Sequence, residues 1–222
     1  MGVAGRLAAV IFDLDGVLID SEPVWEQVRR SFVREGGGRW PADAQTRLLG
    51  MSTAEWANYL SKDLGVDLPP TEVADVVIDR MAAHYADSLP LMPGADDALR
   101  RLSVRWPLAL ASSSPRRLID SVLAAAGWSE LFDATVSTDE VGRGKPAPDV
   151  YLEAARRLGR LASACAAVED SSNGMRSAAA AGTLVIAVPR PQYTPAPDAL
   201  KLAALILRRL ADLTVDAIEK IS

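Results

Sequence analysis

Five short apolar runs punctuate the chain, at 7–14, 108–111, 134–136, 165–168 and 184–188. Each is too short for a typical helix, and most stop at small, polar or turn residues, so they predict buried strands. Helical patterns separate several of them, at 114–126, 146–158 and 172–181. These run out at Gly127, Gly159 and Gly182, a residue type that closes helices readily in the left-handed conformation. Strand, helix, strand in repetition requires crossovers and therefore a parallel sheet covered on both faces.

From about residue 21 to 89 the alternation stops and no strand is predicted. Ser21 and Pro23 open a helix that Gly36, Gly37 and Gly38 end. Ser52 and Glu55 have the spacing of a capping box, starting a helix that ends at Gly65. A long amphipathic pattern then covers 71–88. The expected fold class is α/β, a doubly wound parallel-sheet core (Rossmann-like) with an inserted all-helical cap domain. The core takes residues 1–18 and 90–222, the cap residues 19–89. Ile19-Asp20 and the segment from Leu89 to Gly94 are the expected hinges.

At 222 residues the chain can bury about 70% of its unfolded surface without staples. One cysteine, Cys165, excludes an intrachain disulfide and a Cys-cluster metal site, and a reducing cytoplasm is the simplest home. Net charge is -5, with no basic stripe to release counterions from nucleic acid. Arginine pairs, among them Arg29-Arg30, read as solvated faces. No apolar run reaches the length of a membrane span, and the run at 7–12 is too short for a signal sequence. Nothing demands more than a monomer.

Four segments carry candidate chemistry. Asp13 and Asp15 lie two apart at the end of the first apolar run, and Gly16 lets the chain turn behind them. An Asp-Gly turn accounts for Asp15 and Gly16 but not for Asp13, a carboxylate that follows five or six apolar residues. A buried carboxylate needs a partner or a metal. Glu169 and Asp170 close a second apolar run; Asp170, Ser171 or Ser172 could each cap the next helix, whereas Glu169 is not needed for that. Ser112, Ser113 and Ser114 suit either an anion or ordinary capping at a helix start. Lys145, in Gly142-Arg143-Gly144-Lys145-Pro146, lacks the following Ser or Thr of a nucleotide-binding loop, yet is a good point charge for phosphate.

All four segments sit at, or shortly after, the C-terminal ends of predicted strands, the edge where open parallel sheets bind ligands. That edge would gather Asp13, Asp15, Glu169 and Asp170 against one Lys145, a set that cannot cheaply stay ionised without a cation. Oxygen-only donors point to Mg2+, whose shell is usually completed by water and phosphate oxygens.

Asp13-Leu14-Asp15-Gly16-Val17, the strand ending at Ser112, Gly144-Lys145-Pro146-Ala147-Pro148-Asp149 and Val168-Glu169-Asp170-Ser171-Ser172-Asn173-Gly174 resemble, in order, the four motifs of the haloacid dehalogenase-like hydrolase superfamily. The resemblance covers almost the whole chain and falls within the group of beta-phosphoglucomutase and small sugar-phosphate phosphatases. It implies a phosphatase acting on a small phosphorylated metabolite. Asp13 would be the nucleophile, forming a phosphoaspartate, and Asp15 the general acid and then base. Asp13, the Asp15 carbonyl and Asp170 would bind Mg2+, with Glu169 supporting or ligating. Ser112, Ser113 and Lys145 would hold the phosphoryl group. Gly50, Thr53 and Arg80 are the expected cap contacts to substrate. The alternative is a phosphomutase like beta-phosphoglucomutase. Against it, Trp25 and Thr53 stand where mutase relatives carry a cap His and a cap Arg.

Overall fold

The structure is a computed structural model that describes residues 7–48 and 51–221. Among these residues six parallel strands form one sheet: β1 (Ala9–Phe12), β2 (Leu108–Ser112), β3 (Ala134–Ser137), β4 (Cys165–Glu169), β5 (Leu184–Ala187) and β6 (Leu205–Ile206). Their spatial order is β3-β2-β1-β4-β5-β6. The fold is the doubly wound α/β class expected from the alternation. The two-residue β6 was not expected; it is an edge strand hydrogen-bonded to β5, too short to show a period.

Successive strand residues point to opposite sides, and both sides are dry. Val10, Phe12, Leu108, Leu110 and Val168 join one apolar cluster. Ala9, Ile11, Ala109, Ala111 and Ala167 join another, with Val150 and Tyr151 of α7 (Asp149–Arg157) and Met175 of α8 (Ser172–Ala180). Helices α5 (Ala95–Ser103) and α6 (Arg116–Ala126) pack into the first cluster through Leu99, Leu102, Leu118 and Ile119. Gly127 ends α6 with φ +68°, a left-handed closure that a Cβ would strain.

Between β1 and α5 lie the helices α1 (Glu22–Glu35), α2 (Ala44–Leu48), α3 (Thr53–Asn58) and α4 (Pro70–Asp87). They form the inserted helical cap. The capping box forms as its spacing predicts: Glu55 N–H donates to Ser52 Oγ, and Ser52 N–H donates to Glu55 Oε2 at 2.8 Å. Instead of running on to Gly65 as one helix, α3 widens into a π-helical turn at Tyr59–Asp63. The cap contributes Trp25, Phe32, Trp56, Leu60, Val77 and Met81 to the first cluster, so cap and sheet share one apolar body.

The two chain crossings into and out of the cap run side by side. Ile19 bridges Leu91 antiparallel, Asp20 N–H donates to Pro90 O at 2.8 Å, and Met92 N–H to Leu18 O at 2.9 Å. Just before this crossing Gly16, at φ +84°, turns the chain so that its N–H reaches Ile19 O at 2.7 Å.

Candidate active site

Strand register brings the acids together. Phe12 pairs with Val168, and Asp13 N–H donates to Val168 O at 3.0 Å, so Asp13 at the end of β1 lies beside Glu169 at the end of β4. β2 flanks β1 on its other side, with Phe12 opposite Leu110, and brings Ser112 to the same edge.

Lys145 reaches this edge from the loop before α7. Its Nζ donates to Asp13 Oδ1 at 2.6 Å and to Glu169 Oε1 at 2.7 Å, with all three side chains buried. Burial disfavours the Lys145 cation, but Asp13 and Glu169 outweigh it and lift its pKa. Both oxygens of Glu169 are fully used: Oε1 also accepts from Tyr151 Oη at 2.7 Å, and Oε2 accepts from the N–H groups of Asp170 and Ser171 and from Ser171 Oγ. Gly174 leaves the room for this carboxylate, since a Cβ there would stand 1.8 Å from Glu169 Oε1. The open alternative at the start of α8 resolves to Ser171, whose Oγ accepts from Gly174 N–H at 3.0 Å. Asp170 is thereby released from capping. Its carboxylate makes no hydrogen bond or ion pair among the described residues, and it packs so close to Gly16 that a Cβ on Gly16 would lie 2.0 Å from its Oδ2.

Asp13, Glu169 and Asp170 each offer an oxygen, and these atoms lie within 4.8 Å of one another. Burial, reinforced by Glu169 and Asp15 against Lys145, pushes Asp13 up to about 8. Burial, with Glu169 and Asp13 adding to it, also raises Asp170 well above the carboxylate range. Asp13 and Asp170, buried hard oxygen donors whose charged forms are this disfavoured, fit a divalent cation. The Asp170 carboxylate is unpartnered and that of Asp13 bonds only to Lys145, whereas both oxygens of Glu169 already accept hydrogen bonds.

Asp15 is held differently. Its Oδ2 accepts from Ser114 Oγ at 2.7 Å and from Ser112 Oγ at 3.2 Å, while Oδ1 is buried without a partner. The Asp15 carboxylate is therefore outside the cation set. The fully buried Ser112 hydroxyl donates to Asp15 and accepts from Ser114 N–H at 2.9 Å. Ser113 is exposed and lines the cavities described next.

Two cavities meet at these residues. The smaller, about 270 Å³, is lined by Asp13, Asp15, Lys145, Asp170 and, at its far side, Arg190 and Tyr193. The larger, about 390 Å³, lies between the sheet edge and the cap. Asp15, Ser113, Ser114 and Lys145 form its floor; Glu22, Trp25, Arg29, Thr53 and Trp56 belong to its cap wall. Of the expected cap contacts, Thr53 is at this wall and Gly50 lies outside the described residues. Arg80 is absent from it: Nη1 pairs with Glu35 at 2.7 Å, and the guanidinium sits over the Phe32 ring.

Arg29 reverses the solvated-face reading. It is buried, stacked 4.3 Å from the Trp25 ring centroid and 5.0 Å from that of Trp56, and desolvation lowers its pKa to about 10. The signal was present in the sequence: Glu22, Trp25 and Arg29 follow one another at helical spacing, which puts both charges on the face that buries Trp25.

Residues 7–182 match the family described as "Hydrolase: haloacid dehalogenase-like hydrolase", and the chain belongs to that family. It is 33% identical over 221 residues to hexitol phosphatase B of Escherichia coli K12, covering 96% of this chain and 97% of that protein. It is 35% identical over 184 residues to the bifunctional riboflavin kinase/FMN phosphatase of Arabidopsis thaliana, matching 82% of this chain but spanning about half of that protein, 48%. Among solved structures, CbbY from Rhodobacter sphaeroides in complex with phosphate superposes with a TM-score of 0.84 at 25% identity, covering 96% of this chain and 100% of that one.

Proposed function

We propose that the protein is a magnesium-dependent phosphatase that hydrolyses a small phosphomonoester, a sugar or polyol phosphate, through a phosphoaspartate on Asp13. The family and its phosphatase relatives make it a hydrolase of phosphoric monoesters. The observation that carries the finer reading is the placement of Asp13, Lys145 and Asp170 around one point at the sheet edge, with Asp15 on the adjoining wall.

An oxygen of Asp13 attacks phosphorus as the ester oxygen departs. Lys145, fixed by Glu169, which in turn accepts from Tyr151, brings positive charge to the phosphoryl oxygens. A divalent ion held by Asp13 and Asp170 would supply further charge neutralisation there. Asp15 gives its proton to the leaving alkoxide. Ser112 and Ser114 orient Oδ2, leaving Oδ1 as the atom to carry that proton. Asp15 then takes a proton from water, the resulting hydroxide attacks the phosphoaspartate, and Asp13 and inorganic phosphate are released.

The core is taken as residues 1–18 and 90–222 and the cap as 19–89, a division supported by the antiparallel crossing at Ile19 and Leu91. No helix among the described residues is long and apolar enough to cross a membrane; a cytoplasmic location rests on the single cysteine and on a metabolite substrate. His84, the chain's single histidine, does not line the larger cavity, where a mutase would use a cap His.

Purified protein with Mg2+, assayed on p-nitrophenyl phosphate and a panel of sugar phosphates, is expected to release phosphate. Asp13→Asn is expected to lose at least about a hundredfold of that rate. Equal release by wild type and variant, or none from any ester, would reject the reading.

A further inference from the structure

The cap wall of the larger cavity carries two opposite charges that do not meet. Glu22 and Arg29 both line it, two turns apart on the same face of α1. No ion pair joins them, although each feels the other's charge. The Arg29 guanidinium makes no hydrogen bond or ion pair among the described residues, and its Nε is buried without a partner. Glu22 accepts one bond on Oε2, from Gln45 Nε2 at 3.1 Å. A buried guanidinium with donors unused is costly unless something occupies them.

The occupant must suit both charges. An anionic group would satisfy Arg29 but would face Glu22, Glu55 and Asp139 around the same cavity. The other cation lining it, Lys145, is already engaged by Asp13 and Glu169. An apolar group would leave Arg29 unsatisfied. A hydroxyl both accepts and donates, so neighbouring hydroxyls can accept from Arg29 while donating to Glu22. We propose that Glu22 and Arg29 read the hydroxyl groups of a polyhydroxylated leaving group, and select against substrates bearing a second anionic group. This deepens the phosphatase reading and rests on it.

The test uses the full-length, magnesium-loaded protein with sorbitol 6-phosphate, p-nitrophenyl phosphate and fructose 1,6-bisphosphate. Wild type is expected to favour sorbitol 6-phosphate over the bisphosphate in kcat/KM. Arg29→Met and Glu22→Gln are each expected to cut the sorbitol 6-phosphate to p-nitrophenyl phosphate ratio of kcat/KM by about tenfold or more. Arg30→Met, exposed on the same helix and paired with Glu26, is expected to leave the ratio unchanged. An unchanged ratio in both cavity variants, or a wild-type preference for the bisphosphate, overturns the proposal. Calorimetry decides it independently of turnover. Asp13→Asn protein is expected to bind sorbitol 6-phosphate about tenfold more tightly than the same protein carrying Arg29→Met, and equal affinities count against Arg29. If no ester is hydrolysed while that affinity difference persists, the phosphatase reading fails and the Arg29 assignment stands.

Discussion

Asp13 and Asp15 are two residues apart, yet their surroundings give them different work. Asp13 is held by a lysine, Asp15 by two serine hydroxyls. Ser114→Ala removes the shorter of the hydroxyl contacts and is expected to slow hydrolysis of alkyl phosphates about tenfold. The loss on p-nitrophenyl phosphate is expected to be smaller, because its leaving group needs less help from an acid; parallel kcat measurements check this. Gly174 offers a second test. Gly to Ala inside a helix ordinarily stabilises by about 0.5–1 kcal/mol. Here the new Cβ would collide with Glu169, so Gly174→Ala is expected to destabilise by about 1–3 kcal/mol in a denaturant titration and to lower activity with it. The sequence exposed the acids because charge at the end of an apolar run is conspicuous. The helical spacing of Glu22, Trp25 and Arg29 points to a shared face, and the serine run at 112–114 to a cap or an anion; which groups these side chains meet is shown only by the packing.

At the scale of elements, the five main strands and the helices α1, α3, α4, α6, α7 and α8 are legible because burial imposes a period on enough residues to see it, whereas α5, as long as α7, is not among the elements read from the sequence. The two-residue β6 and the short helices α9 (Pro197–Leu200) and α10 (Val215–Glu219) offer too few positions for a period to emerge. Neither could the π-helical turn after α3 be read, since one widened turn keeps the apolar spacing nearly intact. A charged network fastens α6, β3 and α7 on the outside of the sheet. Arg116 bonds to Glu140 and Thr135, and Arg157 to Glu140, Glu153 and the Thr135 carbonyl. Hydrogen bonds from Arg156 and Arg157 hold Glu153 down at about 2. Burial works against the Glu140 carboxylate, but Arg116 and Arg157 outweigh it and lower its pKa. Depressed carboxylates contribute stability that is complete above their unfolded values and fades as pH falls through the folded ones. Wild type is therefore expected to lose more Tm between pH 5 and pH 2.5 than a Glu140→Gln, Glu153→Gln double variant. The difference is small, under about 1 kcal/mol, because these groups are largely solvated.

For the whole molecule, the strand order places β1 between β2 and β4, where crossovers depart in opposite directions. Such a switch point opens a crevice at the strand ends, and this is why segments far apart in sequence could be assigned to one edge before any coordinates. The cavity wall facing that edge was not legible, because cap side chains reach it through helix orientations that sequence spacing does not fix. The cation reading has a consequence for the fold as a unit. Magnesium at about 100 times its dissociation constant adds about 2.7 kcal/mol to stability. That corresponds to a rise in Tm of about 5–10 °C for a chain of this size. EDTA is expected to reverse the rise and Asp170→Asn to abolish it, as read by differential scanning fluorimetry. A Tm indifferent to magnesium in wild type would speak against the site.

The paired crossing at Ile19 and Leu91 bears on how such a protein can be re-engineered. The turn that carries Asp15, closed by Gly16 N–H to Ile19 O, is joined to the outgoing tether by hydrogen bonds from Asp20 to Pro90 and from Met92 to Leu18. A foreign lid grafted at residue 16 or 17 would cut through that shared knot and dislodge Asp15 along with the old lid. Splice sites placed beyond Asp20 and before Leu89 keep the knot whole, so chimeras joined there are the ones expected to exchange substrate range while leaving the chemistry intact.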